Sequence, residues 1–135
     1  MLDGSGCDRS KLEDMNLISG VLERMPEAIG MTKIMPPYVF RYSGAVEDDW
    51  GVSGIVLIAE SHISIHTFPE KGFLSVDIFS CKDFDVDYAT EYLVEVFGIK
   101  GVEKQVLQRG REFPRSMGRA AKIINWEREK VAAAH

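Results

Sequence analysis

Cysteine is scarce in this 135-residue chain: Cys7 and Cys81 stand far apart, and neither belongs to a CxxC pair. That excludes a disulfide framework or a four-cysteine zinc site and suits reduced thiols. No apolar run approaches the roughly 18 residues a membrane helix needs, and the N-terminus lacks a signal-peptide core, so a cytoplasmic protein without a membrane partner is expected. A basic patch is missing too. With 16 Lys and Arg against 21 Asp and Glu, the net charge is −5 and the pI about 5.2, which argues against nucleic acid as a partner. Internal repeats, low-complexity segments and interdomain linkers are also absent, so one domain is expected over residues 1–115, followed by a charged, Ala-rich helical tail over 116–135.

The most apolar stretch is Gly51-Val52-Ser53-Gly54-Ile55-Val56-Leu57-Ile58-Ala59. It is short, β-branched and punctuated by glycine, which reads as a buried strand. Directly after it stands Glu60-Ser61-His62-Ile63-Ser64-Ile65-His66-Thr67-Phe68-Pro69-Glu70, with two of the three histidines. From Ile63 the residues alternate, placing Ser64 and His66 on one face and Ile63 and Ile65 on the other. Strict register points Ser61 away from His66. A turn or break at the Glu60–Ser61 bond is needed to bring the two together.

Around this pair of strands the pattern alternates between helix and strand. Ser10-Lys11-Leu12-Glu13 has the form of a capping box, and Leu12, Met15, Ile18, Leu22 and Met25 make a helical stripe over 11–25, ending near Pro26. Residues 31–42 read as a strand broken by Pro36-Pro37, and Glu47-Asp48-Asp49 as an acidic loop. A turn at Lys71-Gly72 leads into an alternating strand over 73–80 that delivers Cys81, making an antiparallel hairpin. A helix is predicted over 85–97, stopped by Gly98, then a strand over 102–107. The fold class expected is α+β: a two-layer sandwich with helices packed on one face of an antiparallel sheet.

A serine between a carboxylate and a histidine is more often structural than catalytic, and no Gly-x-Ser-x-Gly elbow surrounds Ser61. The wider pattern changes that reading. Gly51-Val52-Ser53-Gly54, Glu60-Ser61-His62, His66, Pro69-Glu70 and Cys81 together resemble the prokaryotic S-adenosylmethionine decarboxylase proenzymes, a self-cleaving family. The resemblance is close over residues 51–81 and looser from Cys7 to Gly110. It implies that the Ser61 hydroxyl attacks the Glu60 carbonyl and converts the amide to an ester. Loss of the Ser61 α-proton then expels the Glu60 carboxylate, and hydrolysis leaves a pyruvoyl cofactor heading the second of two chains, 1–60 and 61–135. An uphill ester needs a strained turn and donors for the oxyanion.

By the same resemblance His66 is the processing base and Ser53 hydrogen-bonds near the reacting centre. Cys81 is the proton donor, since a thiol with pKa near 8.5 can yield a proton at neutral pH. The pyruvoyl ketone is an electron sink, engaging the substrate amine as a Schiff base. Glu70 faces the substrate with Phe68 beside it, and two protomers assemble with sites near their contact. His62 takes no role beyond its place in the motif, and Cys7 reads as structural.

Two positions depart from the family pattern. The chain starts at Met1-Leu2, where the family carries a longer opening strand, so an edge strand is expected to be short or missing. Four positions before Gly51, where the family stacks an aromatic ring on adenine, this chain has Glu47; Tyr42 or Trp50 is the candidate replacement. An acidic loop also suits a guanidinium or ammonium tail, which leaves arginine or ornithine as alternative substrates. A non-catalytic regulatory homologue is the third reading, and intact Ser61, His66 and Cys81 argue against it.

Overall fold

The computed structural model describes residues 1–59 and 61–108. Glu60 lies outside the described residues, as do the expected tail over 116–135 and the domain boundary before it. Six strands form one sheet: β1 (Leu2–Ser5), β2 (Tyr38–Ser43), β3 (Trp50–Ile58), β4 (Ser61–Phe68), β5 (Phe73–Phe79) and β6 (Gly101–Lys104). Their spatial order is β2-β3-β4-β5-β1-β6, and every neighbouring pair is antiparallel. Among the described residues three helices accompany it: α1 (Arg9–Leu12), α2 (Met15–Ala28) and α3 (Val86–Phe97). The α+β sandwich anticipated from the sequence is the fold observed.

Alternation decides which side the helices cover. Val52, Val56 and Ile58 of β3, Ile63 and Ile65 of β4, and Leu74 and Val76 of β5 are buried. They share a core with Ile18, Val21, Leu22 and Met25 of α2 and Ala89, Leu93 and Phe97 of α3. Gly54 lets α2 come close, since a Cβ there would stand 2.7 Å from a Leu22 methyl. Among the described residues no helix lies over the opposite face. Tyr38, Phe40 and Tyr42 of β2 and Leu57 of β3 lie exposed there, a broad apolar face of the kind that marks an interaction surface.

Several boundaries differ from expectation, each for a local reason. The single helix expected over 11–25 is two, because Asp8 and Asp14 each cap a new start: Asp8 accepts from Ser10 N–H at 3.0 Å and Asp14 from Leu17 N–H at 3.0 Å. Met15 of the anticipated stripe is exposed, and Val21 takes a core place instead. Pro26 does not end α2, which runs two residues further to Ala28; proline's φ suits a helix, and only one backbone donor is lost. The strand expected over 31–42 begins at Tyr38, with Lys33 contributing an isolated bridge to Ile58. The turn after β4 is a single 3₁₀ turn, Pro69–Lys71, closed by Gly72 at φ +58°, a left-handed conformation that favours glycine. The strand expected over 102–107 is Gly101–Lys104. β1 is short, as anticipated, yet it is no edge strand: it pairs with β5 on one side and β6 on the other. Among the described residues no helix is long and apolar enough to cross a membrane.

Candidate active site

Hairpin register places the chemistry-bearing residues in two groups. In the first, Ser61 opens β4 opposite Ile58. Its Oγ accepts a hydrogen bond from the Cys81 backbone N–H at 3.1 Å. Ser61 is half-buried and Cys81 buried. The sequence separates this serine and this cysteine by a whole hairpin, and the β4–β5 ladder brings them together.

In the second group, Ser53 and His66 are direct cross-strand partners, with Ser53 Oγ and His66 Nδ1 2.9 Å apart. The pair stands on the uncovered face. The same row continues across the sheet, Phe40 beside Ser53 on one side, Ser75 and then Asp3 beyond His66 on the other. Ser75 Oγ donates to Asp3 Oδ1 at 2.7 Å, so a line of polar groups crosses four strands.

Ser61 and His66 are five residues apart on one strand, which at about 3.3 Å per residue is roughly 16 Å. The ladder runs without a break from Ser53–His66 to Ile58–Ser61. Ser61 occupies the register of buried Ile58 and His66 that of Ser53 on the uncovered face. Within one chain the two groups therefore do not meet, and the register expected from simple alternation is the one observed.

The remaining site candidates lie past His66 on β4 and its turn, at the start of β3, and in the loop before it. Phe68 and Phe73 are paired across the hairpin with ring centroids 5.9 Å apart, and Lys71 Nζ lies 5.9 Å from the Phe68 ring. Glu70 Oε1 accepts from Arg9 Nη2 at 2.7 Å and from the Trp50 indole N–H at 3.2 Å. Trp50 pairs with Ser43 and alternates with Tyr42's partner Gly51, which sets it on the helix-bearing side. There the Arg41 guanidinium covers its ring at 4.3 Å. Tyr42, by contrast, shares the face of Ser53 and His66. Glu47 is exposed in the loop between β2 and β3. His62, opposite Phe79, packs its ring 5.7 Å from the phenyl group.

Just past Ser53–His66 the β3–β4 ladder gives way to a side chain. Thr67, buried to 2% exposure, accepts from Val52 N–H at 3.0 Å and donates to the Leu12 carbonyl at 2.7 Å. The Thr67 carbonyl then lies where a Cβ on Gly51 would go, so only glycine fits there. Sequence reading passed over Thr67, Arg9, Ser75 and Asp3. Ser75 was within reach, since the Pro69–Gly72 turn fixes the hairpin register; Arg9 and Thr67 carry no such local signal. Cys7, outside both groups, is half-buried, and that burial pushes its thiol pKa up, in keeping with a structural role. The side chain of Ser10, followed by its backbone N–H, holds the exposed Asp8 carboxyl below its ordinary range.

Comparison with known proteins gives a consistent result. A family model described as S-adenosylmethionine decarboxylase matches residues 1–110. The S-adenosylmethionine decarboxylase proenzyme of Pyrococcus furiosus is 34% identical over 128 residues, covering 94% of this chain and 87% of that protein. The proenzyme of Aquifex aeolicus is 38% identical over 112 residues, covering 82% and 78%. That of Geobacillus kaustophilus is 35% identical over 105 residues, covering 78% and 80%.

Proposed function

This chain belongs to the S-adenosylmethionine decarboxylase family and is a decarboxylase of S-adenosylmethionine serving polyamine synthesis; from that premise we propose how its residues divide the work. The names of its relatives mark it as a proenzyme that becomes active by self-processing. Nothing in the comparisons favours arginine or ornithine as substrate, or a non-catalytic role. In our reading the chain cuts itself between Glu60 and Ser61 and Ser61 becomes a covalent pyruvoyl group, which supplies an electron sink when carbon dioxide leaves. The residues around Ser61 fit such a group. Its Oγ accepts from the backbone N–H of Cys81, the residue whose thiol would deliver a proton, and the serine stands at the last pair of the β3–β4 ladder.

The observation that carries the arrangement is the separation of the two groups on β4. Ser61 and Cys81 form one half of the site. His66, Ser53, Phe68 and Glu70 form the other. We infer that a homo-oligomer completes it, the uncovered face of one copy lying against the Ser61 end of a second. The exposed Tyr38, Phe40, Tyr42 and Leu57 give that face an apolar surface to bury. His66, held by Ser53, then serves as base for the residue-61 α-proton, and Cys81 as proton donor in the turnover that follows.

For the adenine platform we favour Tyr42 over Trp50. Tyr42 shares the His66 face, whereas one side of Trp50 is already covered by Arg41. Base–aromatic stacking is worth about 1–3 kcal/mol, so losing it weakens binding roughly 5- to 150-fold. Glu47 remains a candidate rim contact for the substrate's positive charge. We place the enzyme in the cytoplasm, with neither nucleic acid nor membrane as partner.

Intact-mass analysis of purified protein, followed by carbon dioxide release from S-adenosylmethionine, arginine and ornithine in parallel, tests this reading. Two fragments, 1–60 and 61–135, the second headed by a pyruvoyl group, are expected, with turnover of S-adenosylmethionine alone. A wild-type protein that stays whole yet turns over substrate would overthrow the cofactor assignment.

A further inference from the structure

The segment leading into and through α1 holds the turn after β4 at three points. Cys7 N–H donates to the Gly72 carbonyl at 2.9 Å. Arg9 Nη2 donates to Glu70 Oε1 at 2.7 Å, and the Leu12 carbonyl receives the Thr67 hydroxyl at 2.7 Å. Thr67 and Glu70 flank Phe68 and follow His66 directly, so a four-residue helix grips the part of the chain that carries three site residues. The Arg9 contact is unlike the other two. It joins two side chains near the surface, Arg9 59% and Glu70 30% exposed, and the core does not need it. The Trp50 indole N–H also reaches Glu70, and it reaches the same oxygen, Oε1. Two donors from separate elements thus converge on one carboxylate oxygen and leave Oε2 for another donor.

We propose that Arg9 is a positioning residue for substrate binding, acting through Glu70. Glutamate has three side-chain torsions, and an untethered one must be ordered when the ligand arrives. A charge-assisted bond from Arg9, supported by Trp50, does that ordering beforehand. The effect falls on affinity, because Arg9 orders Glu70 before the ligand arrives and neither residue holds a proton that the steps at residue 61 use. The proposal rests on the reading above that Glu70 faces the substrate.

Kinetics and ligand binding on four variants test it. Arg9→Ala should process fully, keep kcat, and raise KM for S-adenosylmethionine roughly 2- to 10-fold, the range that ordering one long side chain spans. Arg9→Lys should recover part of that loss, since a lone ammonium keeps the charge and loses the fork. Glu70→Gln should raise KM more, and the double variant Arg9→Ala/Glu70→Gln should match Glu70→Gln alone. Glu13→Gln removes the other, looser partner of Arg9, at 3.8 Å, and should leave KM at the wild-type value. Equilibrium titration with 5′-methylthioadenosine, which has no α-amine to react, should repeat the same ranking in Kd. An unchanged KM in Arg9→Ala beside a raised KM in Glu70→Gln would overturn the Arg9 proposal and leave the site reading standing. Additive losses in the double variant would overturn it as well, by making Arg9 a direct contact. An unchanged KM in Glu70→Gln would remove the site reading, and this proposal with it.

Discussion

The two ends of strand β4, which we propose meet in one site, differ in the ties that hold them. At its start, Ser61 accepts a hydrogen bond from a backbone N–H, that of Cys81. At its finish, His66, Thr67 and Glu70 are held by side chains: Ser53, the Thr67 hydroxyl itself, Arg9 and Trp50. A backbone donor survives almost any substitution, whereas a side-chain tie is lost with one. The Cys81–Ser61 bond should therefore survive a change of the Cys81 side chain. The second end should respond to mutation through geometry and stability as well as chemistry.

The largest effect expected is at the first end. Ser61→Ala should abolish cleavage, leaving a single full-length mass, with no change in fold by circular dichroism. Cys81→Ala sharpens the contrast. It keeps the N–H that meets Ser61, so it should still be cut, yet lose turnover with the thiol. His66→Ala should stall before elimination, leaving an ester that hydroxylamine cleaves. If Cys81→Ala blocks cutting and His66→Ala does not, the two roles are exchanged.

Mixing these two inactive proteins probes whether the ends meet across copies. In a two-fold dimer the hybrid has one intact site and one doubly damaged site, so co-refolding should restore about a quarter of wild-type activity. No recovery in hybrids verified by mass would place the whole site within one chain.

Smaller effects are expected from the ties themselves. Thr67→Val keeps the shape but strands the Val52 N–H and the Leu12 carbonyl in a buried place, a loss of about 1–3 kcal/mol by urea denaturation. Its turnover should fall more than its cleavage, since Phe68 and Glu70 lie beyond it. Asp85→Ala, which removes the cap of α3, should cost about 1 kcal/mol in stability and leave cleavage in place. The smallest effect concerns Asp8. Its hydrogen bonds from Ser10 depress its pKa, so the stability it lends is present above the unfolded value, near 3.9, and lost as pH falls through the lower folded one. Asp8→Asn should flatten the acid limb of thermal stability slightly and leave neutral pH almost unchanged.

Much of this was legible in the sequence because it is local or periodic. The alternation from Ile63 to Phe68 set the faces of β4, and with them the problem that Ser61 and His66 point apart. The hydrophobic spacing and Gly98 stop bounded α3. What stayed hidden depends on contacts between distant segments. Arg9 is an unremarkable helix cation until Glu70 is found beside it, 61 residues away. Thr67 reads as a strand threonine until its hydroxyl is seen replacing a rung of the ladder. The place of β1 inside the sheet was misjudged for the same reason, since nothing in Leu2–Ser5 announces partners on both sides. The choice between Tyr42 and Trp50 needed only the β2–β3 register, which the six-residue loop 44–49 concealed.

The strand order has a mechanical consequence for a chain cut between residues 60 and 61. β1, β2 and β3 belong to the first fragment, β4, β5 and β6 to the second, and they are not segregated in the sheet. β1 is threaded between β5 and β6, so the fragments share three ladders rather than one seam. The Thr67–Leu12, Arg9–Glu70 and Cys7–Gly72 bonds also cross from one fragment to the other. Scission therefore frees two chain ends without freeing two bodies. The pieces are dovetailed, and parting them means pulling a strand out of the middle of a sheet.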